Sequence, residues 1–386
     1  MKLLIAGDLI PIGQNVKMFN EGNVESLIGK DLNALWQKAD LRIFNLEVPL
    51  TDFESPIKKC GPNLIAPTSS INGIKSLNPS LISLANNHIL DQGKQGLDST
   101  INLLKGNNIP YLGAGENLNQ AQKPYIIDYH NYKIGVYACA EHEFTIATYS
   151  KGGANPFDPL ESLDHIQDLK KNTDYVIVLY HGGKEHYRYP SPYLQKVCRK
   201  MTDKGANLVV CQHSHCIGSY ESYNNNHIIY GQGNFIFDHS EREEWQTSLI
   251  IDLQLPENKI NFIPIVKQKE IIRLANENQS KEILSSFKKR SENTLDVIFI
   301  ESEYSKFALS MINGYLRAFS PMGKWLSRID KYIFKGNLIR FFYNEKKLLM
   351  LNNFIECEAH WELILYGLNI KSKKEKEYEY STFVYL

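Results

Sequence analysis

The chain has 386 residues, with 43 lysines and arginines against 43 aspartates and glutamates, and so no formal net charge. That length allows one large α/β core plus an appendage, and the balance of charge excludes a general field that would steer the protein onto nucleic acid or an anionic membrane, so partners must be recognised locally. Six cysteines lie far apart with no C-x-x-C pair, which fits reduced structural thiols and a cytoplasmic location, and no apolar run approaches the roughly 20 residues that span a bilayer.

In chain order, MKLLIAGDLI reads as a first strand, because its apolar run is too short for a signal-peptide core and breaks at Gly7-Asp8. Runs of strand length follow in LRIFNLEV, SLISLAN, KIGVYACA, DYVIVLYH, NLVVCQ, HIIYGQGNFIF, SLIIDLQL and KINFIPIV. Helical spacing lies between them around Gly93 to Leu104, Leu160 to Lys171 and Pro192 to Lys204. Strands apolar on both faces, alternating with helices, predict a layered α/β domain with a partly parallel central sheet. The last runs follow one another without helices, so a mixed or second packed sheet is expected there. From about residue 269 the texture becomes helical and aromatic-rich. The chain therefore divides into a domain over 1–268 and a helical C-terminal region over 269–386. The aromatic residues of that region suit packing on the main domain, oligomerisation or membrane-surface contact, and packing is the expectation. The charged stretch KSKKEKEYEYSTF reads as a frayed, solvated tail.

In an open α/β sheet ligands bind beyond the carboxyl ends of the strands, which singles out the polar residues closing these runs. They are Asp8, Asn45 and Glu47, Asn86-Asn87-His88, His181 before Gly182-Gly183, and His213-Ser214-His215. Alone, each has an ordinary reading: Glu47 a solvated carboxylate, Asn86-Asn87 a turn, a single histidine a satisfied polar group. Together they supply carboxylate, amide oxygen and imidazole, the ligand set of Mn²⁺, Fe²⁺ or Zn²⁺. His213 and His215, two apart at a strand end, are expected on one face. The same alternation puts Cys211 on that face, although a free cysteine is usually a small buried hydrophobe and not a ligand. Glu185 and Arg188, just past HGG, are candidate substrate contacts, since a guanidinium pairs with both oxygens of a phosphate or carboxylate. Asn234 in GQGNFIFD is either a turn residue needed for shape or part of the pocket lining.

These motifs, AGD at 6–8, FNLEVPL at 44–50, SLANNHILDQGKQGLDST at 83–100, YLGAGENLNQA at 111–121, YHGGKEHYRYPSPYLQ at 180–195 and DKGANLVVCQHSHCIG through GQGNFIFD at 203–238, resemble the capsule-synthesis (CapA, poly-γ-glutamate capsule) family, which is similar in fold to calcineurin-like metallophosphoesterases. The resemblance covers roughly residues 2–266 and implies an αββα sandwich with mixed sheets and a helical C-terminal extension. It implies one or two divalent ions (Mn, Fe or Zn), with Glu47 as bridging carboxylate. Asp8 and His215 would hold the first ion, and Asn87, His181 and His213 the second. His88 matches the histidine that protonates a leaving group, and Asp91 would orient it or stabilise the loop. Two ions about 4 Å apart activate water to hydroxide near neutral pH, so a metal-dependent hydrolase is expected, cleaving a phosphoester or a γ-glutamyl amide in capsule or cell-surface polymer biosynthesis. The expected partners are an anionic polymer or a phosphorylated or γ-glutamyl substrate, and capsule-assembly proteins. The competing function is a non-catalytic polymer-binding or assembly protein. The chain departs from the metallophosphoesterase pattern at Asp8-Leu9-Ile10, where Asp-x-His is usual, and isoleucine cannot ligate.

Overall fold

The computed structural model describes residues 1–237 and 241–382, with side chains described as far as 371; Asp238, which closes the GQGNFIFD motif, and Phe383 of the charged tail lie outside the described residues. In chain order the strands are β1 (Lys2–Ile10), β2 (Leu41–Leu46), β3 (Leu81–Ser83), β4 (Tyr111–Leu112), β5 (Ala114–Gly115), β6 (Tyr125–Tyr129), β7 (Tyr132–Ala140), β8 (Gly153–Ala154), β9 (Tyr175–His181), β10 (Leu208–Gln212), β11 (Tyr220–Tyr223), β12 (Asn226–Ile229), β13 (Asn234–Phe237), β14 (Thr247–Gln254), β15 (Lys259–Gln268) and β16 (Ile271–Leu274). The helices are α1 (Asn15–Glu21), α2 (Val24–Ile28), α3 (Lys30–Gln37), α4 (Ile71–Ser76), α5 (Gly93–Gly106), α6 (Leu118–Ala121), α7 (Ser162–Lys171), α8 (Pro192–Asp203), α9 (Glu277–Thr294), α10 (Val297–Phe319), α11 (Lys324–Tyr332), α12 (Asn337–Phe342), α13 (Glu345–Glu356) and α14 (Glu358–Thr382).

Two mixed sheets form the centre. The first runs β16-β15-β14-β1-β2-β3-β4 with β13 also on β1, and the second runs β11-β12-β10-β9-β7-β6. Their facing sides share one core: Leu3, Ile5, Ile43 and Ile251 of the first sheet meet Val136, Ile177, Leu179 and Val210 of the second. The alternate residues point outward, so both sides of each strand are apolar. Leu4, Ala6, Phe44 and Ile82 pack under Phe19, Leu32, Trp36 and Leu97 from the helices between β1 and β4. Tyr137, Val176 and Val209 pack under Ile166, Val197 and Met201 of α7 and α8. The result is the αββα sandwich with mixed sheets. Helix α8 starts where the sequence suggests, with Pro192 in its first turn and the Ser191 hydroxyl accepting from the Leu194 amide.

One run read as a single strand is two. HIIYGQGNFIF gives β12 in the second sheet and β13 in the first. Gly231 and Gly233, at φ +120° and +79°, turn the chain from one sheet to the other, a conformation that side chains with a Cβ rarely adopt. β13 lies parallel to the end of β1, Asp8 beside Asn234, while β14 runs antiparallel to its start. The approach is close: a Cβ on Gly7 would sit 2.0 Å from the Gly233 carbonyl oxygen.

The chain forms two compact units, Met1–Tyr304 and Ser305–Leu386. α9 belongs to the first, burying Ile283 and Phe287 with Ile217, Leu249 and Val266. In the second, Asp330 accepts from Arg317 Nε at 2.9 Å and from the Leu338 amide at 3.0 Å, tying α10, α11 and α12. The segment read as a frayed tail continues α14 to Thr382. No helix among the described residues is long and apolar enough to cross a membrane.

Candidate metal centre

The parallel strands of both sheets end on the same side, and the six ligand candidates come together there, all buried. Asp8 lies within β1, Glu47 just past β2, Asn87 in the turn after β3, His181 at the end of β9, and His213 and His215 just past β10. Nε2 of His181 lies 3.0 Å from Asn87 Oδ1, 3.2 Å from His213 Nδ1 and 3.2 Å from Glu47 Oε1. One ring nitrogen cannot satisfy three such neighbours by hydrogen bonding. Spacings near 3.3 Å are those between donors around one ion with bonds of about 2.0 Å in a tetrahedral shell. Asp8, Glu47 and His215 form a second group whose ligand atoms all lie within 4.8 Å of one another, and Glu47 is common to both.

The electrostatics suit a cation. Both oxygens of Glu47 are buried without a well-formed hydrogen bond, and the nearby His181 Nε2 is shared with Asn87 and His213. Burial, with smaller contributions from neighbouring charge, pushes the Glu47 carboxyl up to about 8 and Asp8 up to about 7. Burial likewise holds His181 and His213 below the usual imidazole range and takes His215 down to about 3. Neutral imidazoles beside carboxylates that water cannot reach are the donors a divalent ion needs, and its charge would offset the cost of ionising both acids.

Supporting contacts fix these side chains. Asn45 donates to Asp8 Oδ1 at 2.8 Å and accepts from Asn86 at 3.1 Å. Asn234 Oδ1 lies 2.8 Å from His215 Nδ1, and Trp245 packs tilted against the His215 ring at 4.6 Å between centroids. Such neighbours set ring orientation and ligand basicity. Nδ1 of His88 lies 2.6 Å from Asp91 Oδ2, which also accepts from the Leu64 amide at 2.6 Å. The other Asp91 oxygen pairs with Lys59, whose ammonium is also 3.3 Å from His88 Nδ1 and almost wholly buried. Sequence reading misses Lys59 and Trp245 as parts of the site, and it names Asn45 and Asn86 only as strand-end residues; Lys59 stands in the long loop between β2 and β3, and Trp245 precedes the start of β14 instead of closing the carboxyl end of a strand.

Two expectations about geometry are corrected. His213 and His215 are not alternate residues of a strand: β10 stops at Gln212, and both take left-handed backbone, φ +81° and +54°. Such positions cost about 1–3 kcal/mol each and persist where the surroundings over-determine them. Cys211, still within the strand, therefore faces away into the α8 layer, 3.5 Å from Cys198 Sγ. Arg188 is not brought to the ligand cluster either. Its guanidinium is engaged by Glu243 at 2.8 and 3.0 Å in a separate cavity of about 430 Å³ that also holds Lys267 and Arg290. Glu185 is half-buried near the cluster, where its charge acts on Glu47 and His181.

The family model for the bacterial capsule synthesis protein PGA_cap matches residues 2–239, more than half of the chain and every ligand candidate. The chain belongs to this family. It is similar to the PGA biosynthesis protein CapA of Bacillus subtilis (strain 168), 30% identical over 241 residues, which are 60% of this chain and 62% of the relative. It is also similar to the capsule biosynthesis protein CapA of Bacillus anthracis, 26% identical over 275 residues, 69% of this chain and 66% of the relative. The match thus spans a little under two thirds of either relative. Among solved structures, a 5'-nucleotidase precursor from Thermus thermophilus aligns with 75% of this chain and 58% of its own at 12% identity and a TM-score of 0.39. α10 to α14 lie outside the matched residues of this PGA_cap protein.

Proposed function

We propose that this PGA_cap protein is a metal-dependent hydrolase acting in the biosynthesis of a capsule or other cell-surface polymer, on a phosphoester or a γ-glutamyl amide bond. The reading rests on one observation above the others: Glu47, Asn87, His181 and His213 direct their ligand atoms to one buried point, and Glu47 shares its carboxylate with Asp8 and His215 at the next. Divalent ions, when bound, would supply an activated water and neutralise charge at the reacting centre. The chain's own residues would do the rest. His88, partly open to solvent, has Nδ1 fixed by Asp91, which leaves Nε2 to give a proton to the departing oxygen or nitrogen. Asn45 and Asn234 hold Asp8 and His215 in place, and Glu185 contacts substrate from the loop after Gly183. The names of the Bacillus relatives point to a poly-glutamate or related anionic polymer as the substrate class.

One observation favours a second reading, a non-catalytic polymer-binding or assembly protein. Ile10 occupies the place of the usual first-ion histidine and is wholly buried in the apolar core, so the Asp8–His215 group has one donor fewer. Metal analysis and activity separate the two. The hydrolase reading expects one to two equivalents of Mn, Fe or Zn, loss of one on His215→Ala, and retention of metal but loss of turnover on His88→Ala. Protein without metal after growth in each ion would overturn the metal centre, whereas full metal with no turnover on phosphoesters or γ-glutamyl peptides would favour assembly.

A further inference from the structure

The unit from Ser305 onward buries little. Its described core is Leu316, Met322 and Ile339, whereas Trp325, Leu326, Ile333, Phe334 and Phe341 lie exposed, Trp325 and Phe341 by 76% and 80%. Leu338, Phe342, Tyr343 and Leu351 pack partly buried against that core, and so small a core offsets little of the ordering of the chain around it, so this surface is built to be covered.

Its charge indicates by what. Residues 324–340 carry five exposed cations, Lys324, Arg328, Lys331, Lys335 and Arg340, in a chain whose total charge is zero. The single acid among them, Asp330, is turned inward and held by Arg317. Along α11 the 3.6-residue period gathers Trp325, Leu326, Ile329 and Ile333 into one stripe, with Lys324, Arg328 and Lys331 along one border. Arg328 and Lys331 lie over the rings of Trp325 and Tyr332 at 5.9 and 5.1 Å. Apolar and aromatic side chains bordered by cations, on helices too short and polar to span, match a lipid interface: rings enter the acyl boundary and ammonium and guanidinium groups stay among the head groups. A second copy of the chain fits poorly, since a two-fold contact would set these cations against their own counterparts. A soluble polyanion would answer the cations and leave Trp325 and Phe341 in water.

We propose that the α11–α12 face docks on the surface of an anionic lipid bilayer. The inference is independent of the metal centre, because it needs no turnover and uses none of its residues. The test is co-sedimentation of the full chain with vesicles of phosphatidylcholine alone or mixed with phosphatidylglycerol, across a salt series. Binding is expected only to the mixed vesicles and is expected to weaken with salt. Lys324→Gln with Lys331→Gln should lower the binding constant about 25-fold, at about fivefold per cation near a charged surface. Trp325→Ser with Phe341→Ser, which alters only exposed positions, should lower it by about tenfold or more, and circular dichroism should show both variants folded. Equal binding to neutral vesicles, or none to either, would overturn the proposal. So would serine variants that bind like the parent, which would mark a polyanion site, and so would a dimer in light scattering that the lysine variants leave intact.

Discussion

At the scale of single residues, the ligand candidates stand out because each closes an apolar run, a position with few other reasons to be polar. Of the residues that support them, Asn45, Asn86, Asp91 and Asn234 stand in the same motifs, whereas Lys59 and Trp245 are not legible. Lys59 sits in a loop of ordinary polar composition, next to Lys58 and Cys60, and nothing in that pattern indicates a buried ammonium; only the return of the loop over His88 and Asp91 makes it one. The same return explains what Lys59 does. Asp91 is fully buried and accepts from Lys59, His88 and the Leu64 amide, so removing the cation strands a carboxylate where water cannot reach it. Breaking a buried pair from one side costs about 3–5 kcal/mol. Lys59→Met should therefore lower the unfolding free energy by that amount, read as a lower urea midpoint at unchanged slope, and Lys59→Met with Asp91→Asn should recover much of it. A Lys59→Met protein that unfolds at the parent's midpoint would show that the pair contributes nothing.

At the scale of elements, strands and long helices follow the sequence pattern, because strands buried on both faces are written as unbroken apolar runs and α5, α7 and α8 as 3.6-residue spacing. What the pattern hides is partnership. A run such as HIIYGQGNFIF has the same composition whether it lies in one sheet or crosses between two, and only Gly231 and Gly233 mark the crossing. Its consequence is functional: β13 is held against β1 so that Asn234 reaches His215. Gly7 makes that contact possible, since a methyl group there would lie 2.0 Å from the backbone oxygen of Gly233, and backbone cannot move aside as a side chain can. Gly7→Ala should cost about 1–3 kcal/mol or more through overpacking and should weaken metal binding as β13 shifts. Calorimetry and metal titration of the variant read both effects, and a protein that melts and binds metal like the parent would disprove the link between the strand contact and the centre.

At the scale of the molecule, the change of texture near residue 269 marks where helices begin, but amphipathic spacing does not say which core a helix joins. α9 joins the sandwich. Ile283 and Phe287 bury against Ile217, Leu249 and Val266, Arg290 Nε donates to the Gly218 carbonyl at 2.8 Å, and Ser291 and Thr294 bond to Tyr220 and Ser219. Gly218 and Ser219 follow His215 by only a few residues, so α9 braces the loop that carries the two histidines. A chain ending at 268 loses the edge strand β16 with its buried Ile272, the burial of Ile283 and Phe287, about 1.5–3 kcal/mol each, and those bonds. A chain ending at 304 keeps them all. The 1–304 protein should unfold in one cooperative transition and bind as much metal as the full chain. The 1–268 protein should melt several degrees lower, about 2–4 °C per kcal/mol lost for a domain of this size, and bind metal more weakly because the His213–His215 loop is no longer braced. Equal melting points and equal metal content for the two truncations would mean that the helix is an appendage to the sandwich and not one of its layers.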